Sequence, residues 1–343
     1  MYSDSRSVVR VGCTRTDSFP VVTGVKQGAL LSPILFNIVL DTVLGEALRG
    51  CRGVWIDEGN RILDLDYADD IALVAESLPD MQRIIDRLDN LAQQVGLRIS
   101  SEKTKVMRSG SVDQGPVYLQ GTPLEDVARF CYLGSIISPD GDSSCEMRSR
   151  IAKAENTFSM LTKCLWRSAR VSLKTKIRVY FAAVRPVLMY GCETWPVKVA
   201  DAARLQSFEF RCWRRMLGIT YRDRMSNQEV LSRIRPPSLC TTELQLRRLR
   251  YFGHVLRRNE SYPARRTILC KPHPSWRRPR GGVCTTWQRT VQKDLAPLRL
   301  GHVYHTWNRD WKQVCVDLAA DRHQWTLMTM RAISGAGDLT VMR

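Results

Sequence analysis

The stretch LDLDYADDIALVAES, residues 63–77, sets two carboxylates, Asp69 and Asp70, side by side between two apolar runs. Alternation on both sides predicts a hairpin with the aspartates at its turn. Two readings are open. Asp is common in turns, where its side chain bonds nearby backbone. A carboxylate pair raised on a hairpin is also a donor set for a hard cation such as Mg²⁺, with substrate phosphates completing the shell. Two such ions about 3.5–4 Å apart can activate a hydroxyl and stabilise a departing pyrophosphate.

Outward from the hairpin, TGVKQGALLSPILFNIVLDTVLGEALRG (residues 23–50) reads as a glycine-flanked loop entering a helix. Ser32 suits the N-cap and Pro33 the first helical position. Ile34, Leu35, Phe36, Ile38, Val39 and Leu40 cover most of the first turns, which predicts a buried helix, and Gly50 can end it. SLPDMQRIIDRLDNLAQQVG (residues 77–96) is amphipathic, with Met81, Ile84, Ile85, Leu88, Leu91 and Val95 at helical spacing. Ser77 and Asp80 fit its start and Gly96 its end. LRISSEKTKVMRSG, VYLQGTPL and ARFCYLGSIIS read as short strands, and SVVRVG and FPVV near the N-terminus as strand fragments. Up to about residue 140 the chain is therefore expected to be an α/β unit with a mostly antiparallel sheet. From Met147 the pattern turns helical, in EMRSRIAKAENTFSMLTKCLWRSA, LKTKIRVYFAAVRPVLMYGCETW, AARLQSFEFRCWRRMLGI and CTTELQLRRLRYFGHVLRR. Weaker helices surround Trp287, Trp307, Trp311 and Trp325.

The charge divides along the same line. Residues 1–150 carry 16 Lys/Arg against 21 Asp/Glu, net −5, whereas residues 151–343 carry 36 against 13, net +23. So large an excess points to a polyanion, most simply nucleic acid, although a solubilising surface is the plain alternative. The Pro/Arg/Gly-rich CKPHPSWRRPRGG (residues 270–282) suits a linker or a nucleic-acid-contacting arm. No window is apolar enough to span a bilayer, and the N-terminus lacks a signal-peptide pattern, so an intracellular protein of the nucleus or cytoplasm is expected. The 11 cysteines include no C-x-x-C, which disfavours a disulfide framework. Cys270, His273 and Cys284 have loose metal-ligand spacing without a clear fourth ligand.

The ordered set GVKQGALLSPILFN, YADD, GLRISSEKTKVM and YLGSIIS resembles the polymerase motifs of reverse transcriptases, most closely those of LINE-type, non-LTR retrotransposons. Each segment alone is a weak signal, and four in order are specific. VRPVLMYGCETW, RCWRRMLGI and RRLRYFGHVLRR resemble the region that follows the polymerase in those elements. The resemblance implies a right-hand polymerase palm over residues 1–142, a helical thumb and connection over 143–260 and a basic C-terminal extension over 261–343. It implies Asp69 as a ligand of Mg²⁺ or Mn²⁺, Asp70 as its support, and Tyr67 and Ala68 as the rest of the hairpin motif. Gln27 and Gly28 match the loop along the template and nascent base pair, with Ser32 and Pro33 starting its helix. Lys103 matches a lysine that protonates the leaving pyrophosphate, although Ser100 stands where many relatives have asparagine. Tyr132, Leu133 and Gly134 match a strand pair gripping the primer. The implied partners are an RNA template, a DNA primer and dNTPs.

The resemblance also implies a second metal-binding aspartate, in a strand read F-D-x-x-x upstream of Gln27. Only 26 residues precede Gln27, and neither Asp4 nor Asp17 sits in that pattern. The expectation is an N-terminally truncated palm, inactive or nearly so by itself, with a nucleic-acid-binding remnant as the alternative to an enzyme. A domesticated structural protein has only the basic half in its favour. In that half, Arg247, Arg248, Arg250, Arg257 and Arg258 are expected to meet phosphates, while Phe210 and Trp213 are expected in helix core.

Overall fold

Hairpins form where turn chemistry closes neighbouring short strands, and this chain is full of such pairs. The computed structural model describes residues 5–21, 24–57, 59–110, 115–270, 285–298 and 311–334. Asp4, His273, Cys284, Trp307 and most of the Pro/Arg/Gly-rich arm lie outside the described residues. The chain divides into two units, the first built from Met1–Trp55, Gly59–Val106 and Ser111–Val127, the second chiefly from Ala128–Arg343.

The first unit runs β1 (Arg6–Ser7), β2 (Arg10–Val11), β3 (Thr14–Arg15), β4 (Phe19–Pro20), α1 (Ser32–Leu48), β5 (Val54–Trp55), β6 (Arg61–Ile62), β7 (Asp64–Tyr67), β8 (Asp70–Leu73), α2 (Leu78–Gln94), β9 (Lys105–Val106), β10 (Tyr118–Leu119), β11 (Thr122–Pro123) and β12 (Glu125–Asp126). The expected single sheet is corrected here. Among the described residues the strands form separate two-stranded ladders, antiparallel except for β9 with β12. Periodicity marks a stretch as a strand but does not choose its partner, and most of these strands found the nearest one.

Two helices seat the ladders. Ser77 caps α2, accepting from the Asp80 N–H at 3.2 Å, and Gly96 follows it at φ +78°. Leu88 of α2 packs on Leu40, Val43, Leu44 and Ala47 of α1, with Ile71 and Leu73 of β8 against them. Arg87 ties the helices further, donating to the carbonyls of Glu46 at 2.8 Å and Arg49 at 2.7 Å. Two expectations for α1 fail. Ser32 does not cap it: Leu31 holds the cap position, and the buried Ser32 hydroxyl donates to the Lys26 carbonyl at 2.5 Å. Nor is α1 buried all round. Ile34 and Ile38 are 56% and 57% exposed, and Leu35 and Val39 are exposed too, because α2 and β8 cover one face only. Val95 at the end of α2 is likewise exposed.

The second unit opens with β13 (Phe130–Tyr132) and β14 (Ser135–Ile137), then α3 (Ser144–Met160), α4 (Leu173–Val179), α5 (Arg185–Leu188), α6 (Val199–Leu217), α7 (Asn227–Ile234), α8 (Cys240–Leu256), α9 (Pro263–Leu269), α10 (Trp287–Leu295), α11 (Trp311–Ala320) and α12 (Arg322–Ser334). Between α4 and α5 the helix widens into a π turn over Tyr180–Val184. Pro186 follows at once, and its missing N–H removes one i→i−4 bond there. One core gathers Phe158, Trp166, Tyr180, Leu205, Phe208 and Trp213 with the start of α8. A second packs Leu249, Phe252 and Leu256, from the rest of α8, against α10, α11 and α12. Among the described residues no helix is long and apolar enough to cross a membrane.

Candidate functional site

The register of β7 with β8 fixes the tip of the hairpin. Tyr67 pairs with Asp70 and Asp66 with Ile71, leaving Ala68–Asp69 as a two-residue turn. Ala68 has φ +56°, a left-handed backbone that costs a non-glycine residue about 1–2 kcal/mol. Side chains alternate along each strand, so Asp64 and Asp66 share a face with Ile71 and Leu73, towards α1. Burial raises the Asp64 carboxyl above its usual range, and the nearby Asp66 and Asp41 charges add to the rise. The opposite face carries Leu65, Tyr67 and Asp70 into solvent, with Tyr67 65% exposed. Asp69 and Asp70 are both exposed.

The other motif residues of this unit rest on the same apolar seam. Phe36 of α1, Ile71 and Leu73 of β8 and Ile99, just before the Lys103 turn, all pack against the core of α1 and α2. Lys103 is exposed on a turn whose backbone bonds to Ser100, the Lys103 N–H reaching the Ser100 Oγ at 3.4 Å. Gln27 and Gly28 are exposed on the loop before α1, and Gly28 has φ +83°. Pro33 falls at the second position of α1, one later than expected, because Leu31 and not Ser32 holds the cap position.

Whether these groups suit a metal is a question of donor number. Among the described residues no group of three or more His, Cys, Asp or Glu side chains converges to hold one. Two adjacent exposed carboxylates fit a single hard divalent ion that keeps waters and borrows phosphate oxygens from its substrate. They do not make a cage of protein ligands.

In the second unit Tyr132–Gly134 forms its own tight turn. Leu133 and Gly134 have φ +48° and +80°, the pair of left-handed residues that a type I′ hairpin needs. This turn is held from beneath. Arg150 of α3 donates to the Gly134 carbonyl and, at 2.6 Å, to Glu146, whose other oxygen accepts from the Ile136 N–H at 2.8 Å. The Tyr190 hydroxyl donates to the Leu133 carbonyl at 3.1 Å, and Arg150 lies 4.3 Å over the Tyr190 ring. The sequence reading missed Glu146, Arg150 and Tyr190. Their signal was the i,i+4 acid–base pair on one helix face.

The five arginines expected to meet phosphates separate by environment. Arg250 and Arg258 are exposed. Arg247 is half-buried and bonded to Glu243 at 2.9 Å, and Arg257 donates to the Ala319 carbonyl at 3.1 Å. Arg248 is a correction: its side chain is 1% exposed and paired with Asp294 at 2.6 Å. Burial pushes the Asp294 carboxyl up and the Arg248 guanidinium down, and their mutual attraction opposes both shifts. Phe210 and Trp213 are core residues, as expected.

Comparison with known proteins bears on this arrangement. Residues 3–137 match the family described as reverse transcriptase (RNA-dependent DNA polymerase). A transposon-derived protein of Caenorhabditis elegans is 27% identical over 285 residues, covering 80% of this chain and 97% of the relative. The RNA-directed DNA polymerase of the mobile element jockey from Drosophila funebris is 28% identical across 56% of the chain, and a Pol polyprotein of the R2 element of Popillia japonica is 26% identical across 56%. The aligned parts amount to 21% of the jockey protein and 32% of the R2 protein. Residues 3–137 are thus similar to the reverse transcriptase family, and the relatives that align further along the chain are named as products of transposons and mobile elements.

Proposed function

We propose that this chain serves RNA-directed DNA synthesis, with residues 1–142 as the polymerase palm. The primer 3′ hydroxyl attacks the α-phosphate of a dNTP, an O–P bond forms, and pyrophosphate leaves with the electrons of the broken bond. Asp69 and Asp70 hold the divalent cation, which when bound neutralises charge on the transferring phosphoryl group. Lys103 places an ammonium where the pyrophosphate departs. The Gln27–Gly28 loop lies along the nascent base pair, with Ser32 and Pro33 setting the start of α1 behind it, and Tyr67 and Ala68 shape the turn that lifts the aspartates. Tyr132, Leu133 and Gly134 grip the primer end. The observation that carries this reading is the tight hairpin tip with two adjacent carboxylates, seated on the same seam as α1, which follows the Gln27 loop, and Ile99, which precedes the Lys103 turn.

A second reading, nucleic-acid binding without chemistry, is favoured by one observation: no third acid joins the two aspartates among the described residues. Primer extension on an RNA template separates them. Incorporation with Mg²⁺ or Mn²⁺ that vanishes in Asp69→Ala establishes the polymerase. Template–primer binding with no incorporation, unchanged in Asp69→Ala, establishes the second reading.

A further inference from the structure

We infer that the exposed face of α1 is an interface between two copies of this chain, which pair antiparallel about a two-fold axis at Ile38. The inference is independent of the function proposed above. At a rotation of about 100° per residue, Leu31 at the cap and Ile34, Ile38, Thr42 and Gly45 of α1 fall within an arc of about 80°. All five are exposed, Ile34 and Ile38 at 56% and 57%. Leu35 and Val39 are exposed beside the stripe, and Leu30, just before the helix, is 94% exposed. The open apolar side chains amount to on the order of 500 Å² per copy, so pairing removes about 1,000 Å² from water in all, the size at which specific interfaces begin. A contiguous apolar patch on this scale marks a contact surface. Between Gln27 and Leu40 the chain carries no charge, so the face offers a polyanion nothing to bind.

Three features point to a second copy as the occupant. The side chains shrink along the stripe, from Leu31, Ile34 and Ile38 to Thr42 and Gly45. A copy running the other way sets Leu31 against Gly45 of the partner subunit and Ile34 against Thr42 of the partner subunit, with Ile38 meeting its own equivalent on the axis. Bulky then faces small at both ends, and one sequence supplies both halves of the match. The Thr42 hydroxyl already donates to the Ile38 carbonyl at 2.8 Å, so covering it strands no donor. Gly45 is the second feature. Glycine inside a helix weakens it relative to alanine, yet apart from the helix itself nothing lies within 4 Å of where a Cβ on Gly45 would stand. Packing within one copy gives no reason for that glycine, whereas a leucine approaching from a second copy does. The helix ends are the third. α1 has no acidic side chain in its first turn and no basic one in its last. An antiparallel pair lays each N-terminus beside the other's C-terminus and offsets both dipole ends. A parallel pair would set leucine on leucine, leave glycine facing glycine and align the dipoles.

The test uses the full chain, cleared of nucleic acid by nuclease and held at about 500 mM NaCl, where charge-mediated association is screened and apolar contact persists. Sedimentation velocity between about 1 and about 100 µM should carry the wild type from the mass of one chain towards the mass of two, and no further. Ile38→Glu brings two carboxylates together on the axis and is expected to weaken pairing at least about tenfold. Its melting temperature at about 1 µM should match the wild type, because the side chain is exposed in the single copy. Ile38→Cys should, on mild oxidation, give a dimer in which the peptide bearing the substitution is linked to its own equivalent. Asn37→Cys, about 100° away round the helix, should not. The crosslink adds no charge, so it decides the matter even if Ile38→Glu fails to fold. A single-chain mass at about 100 µM, pairing that Ile38→Glu leaves intact, growth beyond two copies, or Asn37→Cys linking as readily as Ile38→Cys would each overturn the assignment.

Discussion

At the scale of the residue, Arg248 shows how little an arginine's name says about its task. Arg247, Arg248 and Arg250 are near neighbours on α8, yet a rotation of about 100° per residue sends Arg248 into the core and leaves Arg250 in solvent. Removing Arg248 strands a buried carboxylate at Asp294. Arg248→Ala is therefore expected to cost about 3–5 kcal/mol of stability, read by thermal or denaturant unfolding, while the folded fraction binds nucleic acid as before. The pH dependence has a definite sign. A carboxylate whose folded pKa lies above its unfolded value destabilises the fold when ionised. Burial already raises Asp294, and losing the arginine raises it further. The deficit of Arg248→Ala should thus be greatest near neutrality and shrink as the pH falls through the folded pKa of Asp294. Arg250→Ala should behave oppositely, with stability unmoved within about 0.5 kcal/mol. A deficit in Arg248→Ala that stays constant down to acid pH would contradict the buried pair.

At the scale of the element, what could be read from sequence was what is decided locally. The hairpin at Asp69–Asp70, the caps of α2 and the helical character after Met147 rest on turn chemistry and periodicity within a few residues, and all three are present. The short helix α7 was overlooked, although Ser226 and Glu229 form the reciprocal capping box that announces such a start. The exposure of α1 was not legible, because a helix apolar all round states only that it wants partners, not how many it meets. The joining of strands into separate ladders, and the hold of Glu146, Arg150 and Tyr190 on the Leu133–Gly134 turn, depend on contacts between distant residues. So does the meeting of α8 with α12. A Cβ on Gly253 would lie 2.2 Å from the Trp325 indole nitrogen, whose N–H donates to the Leu249 carbonyl at 2.9 Å. Gly253→Ala must expel that indole from the core it shares with Phe252. Overpacking of this kind costs about 1–3 kcal/mol, and the better helix propensity of alanine offsets about 1. The expected outcome is a net loss of stability with Trp325 more exposed, seen as lower melting temperature and red-shifted fluorescence. An unchanged melting temperature would show that α12 does not depend on this contact.

At the scale of the whole molecule, the charge imbalance decides how polyanions are held. The net −5 of residues 1–150, which include Asp69 and Asp70, opposes a nucleic-acid backbone there, and the net +23 of residues 151–343 attracts one. On the function proposed, affinity for template and primer must then come mainly from the second half of the sequence, through arginines such as Arg211, Arg215, Arg250 and Arg258, all exposed. Binding through phosphates releases condensed counterions, so the observed affinity falls as a power of the salt concentration. With about six phosphates neutralised, raising salt from about 50 to about 200 mM should lower the affinity on the order of 10³-fold. Because phosphates are the same at every nucleotide, sequence should matter little and ionic strength greatly. Titrating one labelled strand at several salt concentrations gives the slope directly. A steep slope in the wild type that becomes shallower as exposed arginines are removed from residues 151–343 places the attraction in that half. An affinity that is flat across the same range would mean that the +23 excess serves solubility, and that whatever holds the nucleic acid does so without counting its phosphates.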